Sequence, residues 1–75
     1  MFEEFKKLLV DELQIDEDKI TMSSELSNDL GINSIELAEL VMNCEETFHI
    51  DIQEEDIRNF VTVEDVVKYV ESKAK

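Results

Sequence analysis

The most informative stretch of the chain reads Asp29-Leu30-Gly31-Ile32-Asn33-Ser34-Ile35-Glu36-Leu37. Its Gly31 is the only glycine in the sequence, and glycine permits left-handed backbone angles or the close approach of another molecule. Asn33 is a favourable N-cap, and Glu36 three residues later completes an approximate capping box, so the pattern predicts a helix that begins at Ser34. The Ser34 hydroxyl would then lie beside unpaired backbone N–H groups at the positive end of the helix dipole, where a phosphate group is stabilised.

The helix that begins at Ser34 is predicted to run to about Phe48 and to have two different faces. Apolar side chains expected in the core share one arc of the helical wheel: Leu37, Leu40, Val41, Cys44 and Phe48. The opposite arc carries two apolar side chains and two carboxylates at positions i, i+4, i+7 and i+11, which are Ile35, Glu39, Met42 and Glu46. We name these four residues the acidic strip. Exposed apolar side chains among acids favour a docking surface over a plain solvated face, because the strip starts next to Ser34.

Helical periodicity also organises the rest of the chain. An amphipathic helix is predicted from Phe2 to Leu13, because Phe2, Phe5, Leu9 and Leu13 fall on one stripe. The segment from there to Asn28 is predicted to be a long loop with scattered apolar anchors: Ile15, Ile20, Met22 and Leu26.

The second half of the chain predicts two further helices. A short extended link, 49–53, precedes a helix of one to two turns at roughly Glu54 to Asn59. Thr62, with Asp65 three residues later, predicts the N-cap of a last helix that ends at about Ser72, so that residues 73–75 fray. The sequence therefore predicts an all-α fold: a small four-helix bundle with one short helix and a long first loop, forming a single domain over residues 1–75.

Composition narrows the classes of partner. With 20 acidic and 7 basic residues the formal net charge is -13, which disfavours nucleic acid and anionic membranes and favours a basic protein surface. One cysteine excludes an internal disulfide, and no signal-peptide pattern or long apolar run is visible, so we expect a reduced, cytoplasmic protein. We also expect it to be a monomer.

The sequence does not indicate a catalytic site or a metal site. The single histidine, His49, is a helix length away from Ser34, so a hydrolase triad is not expected. The acidic run Asp16-Glu17-Asp18 lacks the glycine and the terminal glutamate of a calcium-binding EF-hand loop. Cys44 lies on the buried arc and is expected to be a small core residue.

The stretch from Asp29 to Leu37, followed by Ala38-Glu39-Leu40-Val41-Met42 and Glu45-Glu46-Thr47-Phe48, resembles the acyl carrier proteins of fatty acid synthesis. In that family the motif reads Asp-Leu-Gly-x-Asp-Ser-Leu, and its serine bears a 4'-phosphopantetheine arm. The resemblance covers nearly the whole chain and extends through residues 50–52 and 62–66. Asn33 stands where the family usually has aspartate, and Ile35 stands where it usually has leucine.

The resemblance implies a role for three groups of residues. Ser34 would hold the arm, which a phosphopantetheinyl transferase installs, and the arm would carry a growing acyl chain as a thioester. Acyl-transfer enzymes with basic docking patches would bind Ile35, Glu36, Glu39, Met42, Glu45 and Glu46. The acyl chain would fold back among the bundle residues Leu37, Leu40, Val41, Cys44, Ile52, Ile57, Phe60 and Val66, which are also expected to be core.

Two other interpretations remain open beside a fatty acid carrier. Because Asn33 removes a charge from the motif, a carrier for aminoacyl or other specialised groups, such as D-alanyl, peptidyl or polyketide units, is the alternative within the same class. An unmodified acidic protein-interaction module is the alternative from a different class. An independent enzyme is the weakest interpretation, since the chain offers Ser34 no catalytic neighbours.

Overall fold

The computed structural model describes residues 1–73 and contains four α-helices. These are α1 (Phe2–Leu13), α2 (Ser34–Phe48), α3 (Glu54–Ile57) and α4 (Val63–Lys73), and a 3-10 turn at Glu17–Lys19 lies in the long segment between α1 and α2. The predicted all-α bundle with one short helix and a long first loop is confirmed.

The helix limits agree with the sequence pattern for α1 and α2 and differ slightly for the other two. The short helix α3 ends at Ile57, two residues before the predicted Asn59, because Arg58 and Asn59 form a turn. The last helix, α4, ends at Lys73, one residue beyond the predicted Ser72. Ala74 and Lys75 lie outside the described residues.

Two helices end in left-handed residues that are not glycine. Gln14 ends α1 with φ 54°, and its N–H donates to the carbonyl of Leu9. His49 ends α2 with φ 56°, and its N–H donates to the carbonyl of Glu45. His49 is therefore a helix cap and not part of an extended link, and each of these residues adopts a conformation that glycine takes more easily.

The core lies where α1, α2 and α4 meet. Phe5 and Leu9 from α1 are fully buried, and they pack with residues of α2, α4 and the loops. The other buried apolar residues are Ile20, Leu26, Ile32, Leu40, Val41, Cys44, Ile52, Phe60, Val63, Val66, Val67 and Val70.

The long loop between α1 and α2 is tied to the start of α4. Ile20 and Leu26 are buried as predicted, but Met22 was expected to anchor the loop and is instead 36% exposed. It is the backbone carbonyl of Met22 that makes the contact, accepting the N–H of Glu64 at 2.9 Å, while the carbonyl of Ser24 accepts the N–H of Val63 at 3.0 Å. Since the first N–H groups of a helix lack intrahelical acceptors, the loop caps α4.

Candidate functional site

Ser34 lies exposed at the first position of α2, and a reciprocal cap fixes the backbone around it. The side-chain oxygen of Asn33 accepts the N–H of Glu36 at 2.8 Å. In return, the Glu36 carboxylate accepts the N–H of Asn33 at 3.1 Å. The predicted capping box is confirmed, and it places the Ser34 hydroxyl on the surface at the start of the helix.

Two hydrogen bonds and a left-handed glycine fix the backbone of the segment that leads to Ser34. Ile32 is buried, and its N–H donates to the carbonyl of Leu26 at 2.9 Å. The carboxylate of Asp29 accepts the N–H of Glu25 at 2.7 Å. Between them Gly31 has φ 68°, a left-handed angle that costs glycine little. Of the two roles that the sequence allowed for Gly31, the structure shows the left-handed backbone.

The surroundings of Ser34 suit an attached phosphate better than a catalytic serine. In the described part of the chain, hydrogen-bond acceptors are provided for the N–H groups of Glu36 and Leu37 but not for those of Ser34 and Ile35. These two donors and the helix dipole favour an anion beside the hydroxyl. His49 is at the other end of α2, roughly 20 Å away at 1.5 Å per residue, so it cannot activate Ser34.

Comparison with known proteins gives this site its family. A family model described as "Phosphopantetheine attachment site" matches residues 3–70. The acyl carrier protein of Campylobacter lari is 41% identical over 75 residues, which are 100% of this chain and 97% of the relative. The chain belongs to the acyl carrier protein family.

Further relatives agree with this family in sequence and in fold. The acyl carrier protein of Clostridium perfringens is 43% identical over 70 residues, covering 93% of this chain and 92% of the relative. The crystal structure of the acyl carrier protein from Thermotoga maritima superposes with a TM-score of 0.84 at 25% identity, covering 95% of this chain and 82% of that one.

The family assigns the chain a prosthetic group and a non-catalytic role. It is an acyl carrier with 4'-phosphopantetheine as its prosthetic group, and its partners are a phosphopantetheinyl transferase and acyl-transfer enzymes. An exposed hydroxyl beside two backbone donors fits a covalently attached phosphate ester. The group ends in a thiol, which holds the acyl chain as a thioester.

The structure brings the acidic strip onto one exposed face of α2. Ile35 and Met42 are 71% and 60% exposed, which is unusual for large apolar side chains, and Glu39 and Glu46 are exposed with them. A shallow cleft of about 380 Å³ adjoins the far end of the strip and is lined by Met42, Glu45, Glu46, Ile50 and Asp51.

The remaining two predicted docking residues are bonded within the chain. Glu36 belongs to the capping box, and the carboxylate of Glu45 accepts the N–H of Ile52 at 2.9 Å. Both residues are half-buried. Sequence reasoning identified the bond of Glu36 but not that of Glu45, because seven residues and a change of chain direction separate Glu45 from Ile52.

The residues predicted to line an acyl pocket lie together in the bundle. Leu40, Val41, Cys44, Ile52, Phe60 and Val66 are buried, whereas Leu37 and Ile57 are half-buried at the edge of the core. Four clefts stand out among the described residues, and none is lined by any of these eight side chains. Burial raises the pKa of the Cys44 thiol to about 12, and the neighbouring Glu45 charge adds to this effect.

Two surface features were missed by sequence reasoning. Val61, between α3 and α4, is 54% exposed, and no periodic pattern marks it because it lies in a loop. A cleft of about 310 Å³ lies between the end of α1 and the segment before Ser34, and we name it the arm cleft. Its walls come from distant parts of the chain, so no local motif could reveal it.

Within residues 1–73, no helix combines the length and the apolar character that crossing a membrane requires. The same residues contain no group of three or more His, Cys, Asp or Glu side chains that could hold a metal ion.

Proposed function

We propose that Ser34 is the attachment residue for 4'-phosphopantetheine and that the chain carries acyl groups in fatty acid biosynthesis. The observation that supports this most strongly is the exposed Ser34 hydroxyl at the capped start of α2, inside the region that the attachment-site family matches. An acyl group on such an arm is tethered, so a docked enzyme meets it at a high effective concentration.

Loading of the arm tests the attachment residue directly. Incubation with coenzyme A and a promiscuous phosphopantetheinyl transferase should add the mass of one phosphopantetheine to the wild type and none to Ser34→Ala. Ser27→Ala is the matched control, because Ser27 is an exposed loop serine of the same size. Full loading of Ser34→Ala, or no loading of the wild type beside a carrier that is fully loaded, would refute the proposal.

Partner enzymes are proposed to dock on the acidic strip through basic residues. Exposed ion pairs are individually weak and screened by salt, so binding should be modest and should release the carrier after each reaction. Glu36 and Glu45 are proposed to contribute through the one carboxylate oxygen of each that does not accept the internal hydrogen bond.

Charge reversal separates docking from general electrostatics. The double variant Glu39→Lys/Glu46→Lys should slow loading of Ser34. It should remain folded, because both side chains are exposed. The control Glu3→Lys/Asp11→Lys makes the same change in net charge on the exposed side of α1. Loading at the wild-type rate in the strip variant, or equal slowing in the control, would contradict the docking role.

The acyl chain is proposed to enter the bundle beside α3. This helix has only four residues and none of them is buried, so moving it disturbs little packing. Each buried methylene contributes about 0.8 kcal/mol in the transfer picture, which offsets some expansion of the core. Ile57 and Phe60 are proposed to limit the depth.

Cargo length should therefore determine stability. Loaded proteins with progressively longer acyl chains should melt at higher temperatures until the chain reaches Phe60, after which the gain should stop. Equal stabilisation by short and long chains would contradict an internal pocket.

A specialised carrier, for aminoacyl, peptidyl or polyketide groups, is the second candidate. It is favoured by Asn33, which replaces a carboxylate with a neutral side chain directly before Ser34. The intact mass of the protein isolated from its native host distinguishes the two, since the attached group is read directly.

A further inference from the structure

We propose that, when no enzyme is docked and no acyl group is attached, the pantetheine arm lies in the arm cleft; this rests on the proposed attachment at Ser34. Leu30, Gly31 and Ile32 form one wall immediately before Ser34, and Glu36 lines the cleft just after it. The opposite wall comes from the end of α1 and the residues that follow it. The lining therefore comes within two residues of Ser34 on either side of the point where the arm would start.

The size of the arm cleft matches a small flexible ligand. Its volume of about 310 Å³ is at the lower end of small-molecule sites, which begin at about 300 Å³. The predicted acyl-lining residues are packed into the core instead, so the surface cleft is a separate place for the arm itself.

The side chains of the cleft match the chemistry of pantetheine. The arm contains a phosphate, a branched apolar portion with two methyl groups, and two amides. Ile15 and Leu30 are half-buried and give apolar contact, whereas Gln14 brings an amide that can both donate and accept hydrogen bonds. Lys19 lines the cleft as its one cation and forms no ion pair within residues 1–73, but the carboxylates of Asp16, Asp29 and Glu36 line it as well. The phosphate therefore stays at Ser34, and only the uncharged remainder of the arm, whose amide N–H groups can donate to carboxylates, occupies the cleft.

Gln14 also has a backbone conformation that its side chain makes unfavourable. It lies at φ 54° at the end of α1, where glycine or asparagine is the usual residue. A side chain with a Cβ atom is sterically disfavoured in this region. Glutamine there keeps a polar side chain at the wall of the cleft, and the proposal gives that side chain a role.

The first test uses nuclear magnetic resonance to compare the apo protein with the protein that bears the pantetheine arm and no acyl group. We expect amide shift changes at residues 14–19 and 29–32, with nuclear Overhauser contacts between the methyl groups of the arm and those of Ile15 and Leu30. Changes confined to residues 33–36, or contacts with Leu37 and Ile57 instead, would overturn the proposal.

The second test uses a matched pair of cap variants. Gln14→Gly removes the amide while favouring the left-handed backbone, so the fold is retained, and the shift changes at residues 15–19 should fall several-fold. His49→Gly makes the same backbone change at the end of α2, away from the cleft, and should leave them unchanged. Equal shift changes in Gln14→Gly and the wild type would overturn the role of Gln14.

Loading is measured by intact mass in every sample, which separates the two proposals. A protein that loads at Ser34 but shows no cleft contacts overturns only the cleft. A protein that does not load overturns the attachment and the cleft together.

Discussion

The hydroxyl of Tyr69 on α4 donates a hydrogen bond to the carboxylate of Asp56 on α3 at 2.7 Å. The same hydroxyl accepts the N–H of Gln53 at 3.4 Å, and the Tyr69 ring meets Phe60 edge-on with centroids 5.3 Å apart. Burial and the bond to Asp56 both raise the pKa of Tyr69. Because α3 has no fully buried residue, its attachments to the bundle are the half-buried Ile57, which packs against the core, and the bond of Asp56 to Tyr69.

Tyr69→Phe should loosen α3 and leave the other helices intact. The ring contact with Phe60 remains, whereas the two hydrogen bonds are lost, which should lower the free energy of unfolding by about 1 kcal/mol. Hydrogen exchange should accelerate at residues 53–57 well before it does in α1 or α2. If exchange in α3 matches the wild type, Tyr69 does not hold the helix.

The cap at the start of α2 gives a prediction for Asn33. Asn33→Ala removes the acceptor for the N–H of Glu36 and should lower the free energy of unfolding by about 1 kcal/mol in urea denaturation. Asn33→Asp keeps an acceptor at the same position and is the matched control. A loss of similar size in both variants would show that the cap is not the cause.

Local signals account for the parts of the fold that the sequence predicted. The limits of α1 and α2 follow from apolar periodicity and from the capping box of Asn33 and Glu36. The start of α4 follows from Thr62 and Asp65, whose side chains each accept the other's N–H, at 3.3 and 3.0 Å. Each of the two caps joins residues only three apart, and the periodicity lies within a single helix.

The features that could not be predicted depend on residues far apart in the chain. The side chain of Asp56 on α3 is bonded to Tyr69, thirteen residues away, and Met22 contacts α4 through its carbonyl and not through its side chain. Ser24 is a buried polar residue whose hydroxyl donates to the carbonyl of Lys19 at 2.7 Å. Its loop position has no periodic pattern from which burial could be read.

Burial of Cys44 predicts a thiol that is inert in the folded protein. Since the thiolate is the reactive form and the pKa is raised to about 12, alkylation at pH 8 should be far slower than for a free thiol. Unfolding in urea should restore the ordinary rate. In the loaded protein, the arm thiol should therefore react first, and rapid labelling of Cys44 in the folded apo form would contradict its burial.

The same thiol predicts a change of stability at high pH. The pKa of Cys44 is raised on folding, so the unfolded chain loses the proton first, and the stability due to the neutral thiol is present below about pH 9. It should be lost as pH rises from about 9 to about 12. Over this range the unfolding free energy of the wild type should fall faster than that of Cys44→Ala, by up to about 1.4 kcal/mol per pH unit. Parallel curves would show that Cys44 does not titrate with unfolding.

The large negative charge predicts that salt stabilises the fold. With a net charge of -13 and ion pairs in residues 1–73 formed only by the N-terminus, Lys6 and Lys68, repulsion between carboxylates opposes the compact state. Sodium chloride or magnesium should screen this repulsion and raise the melting temperature. Glu3→Lys/Asp11→Lys reduces the negative charge and should raise the melting temperature at low salt while weakening its dependence on salt. A melting temperature that does not respond to magnesium, or a variant with the wild-type salt dependence, would show that packing and not charge repulsion limits the stability of this carrier.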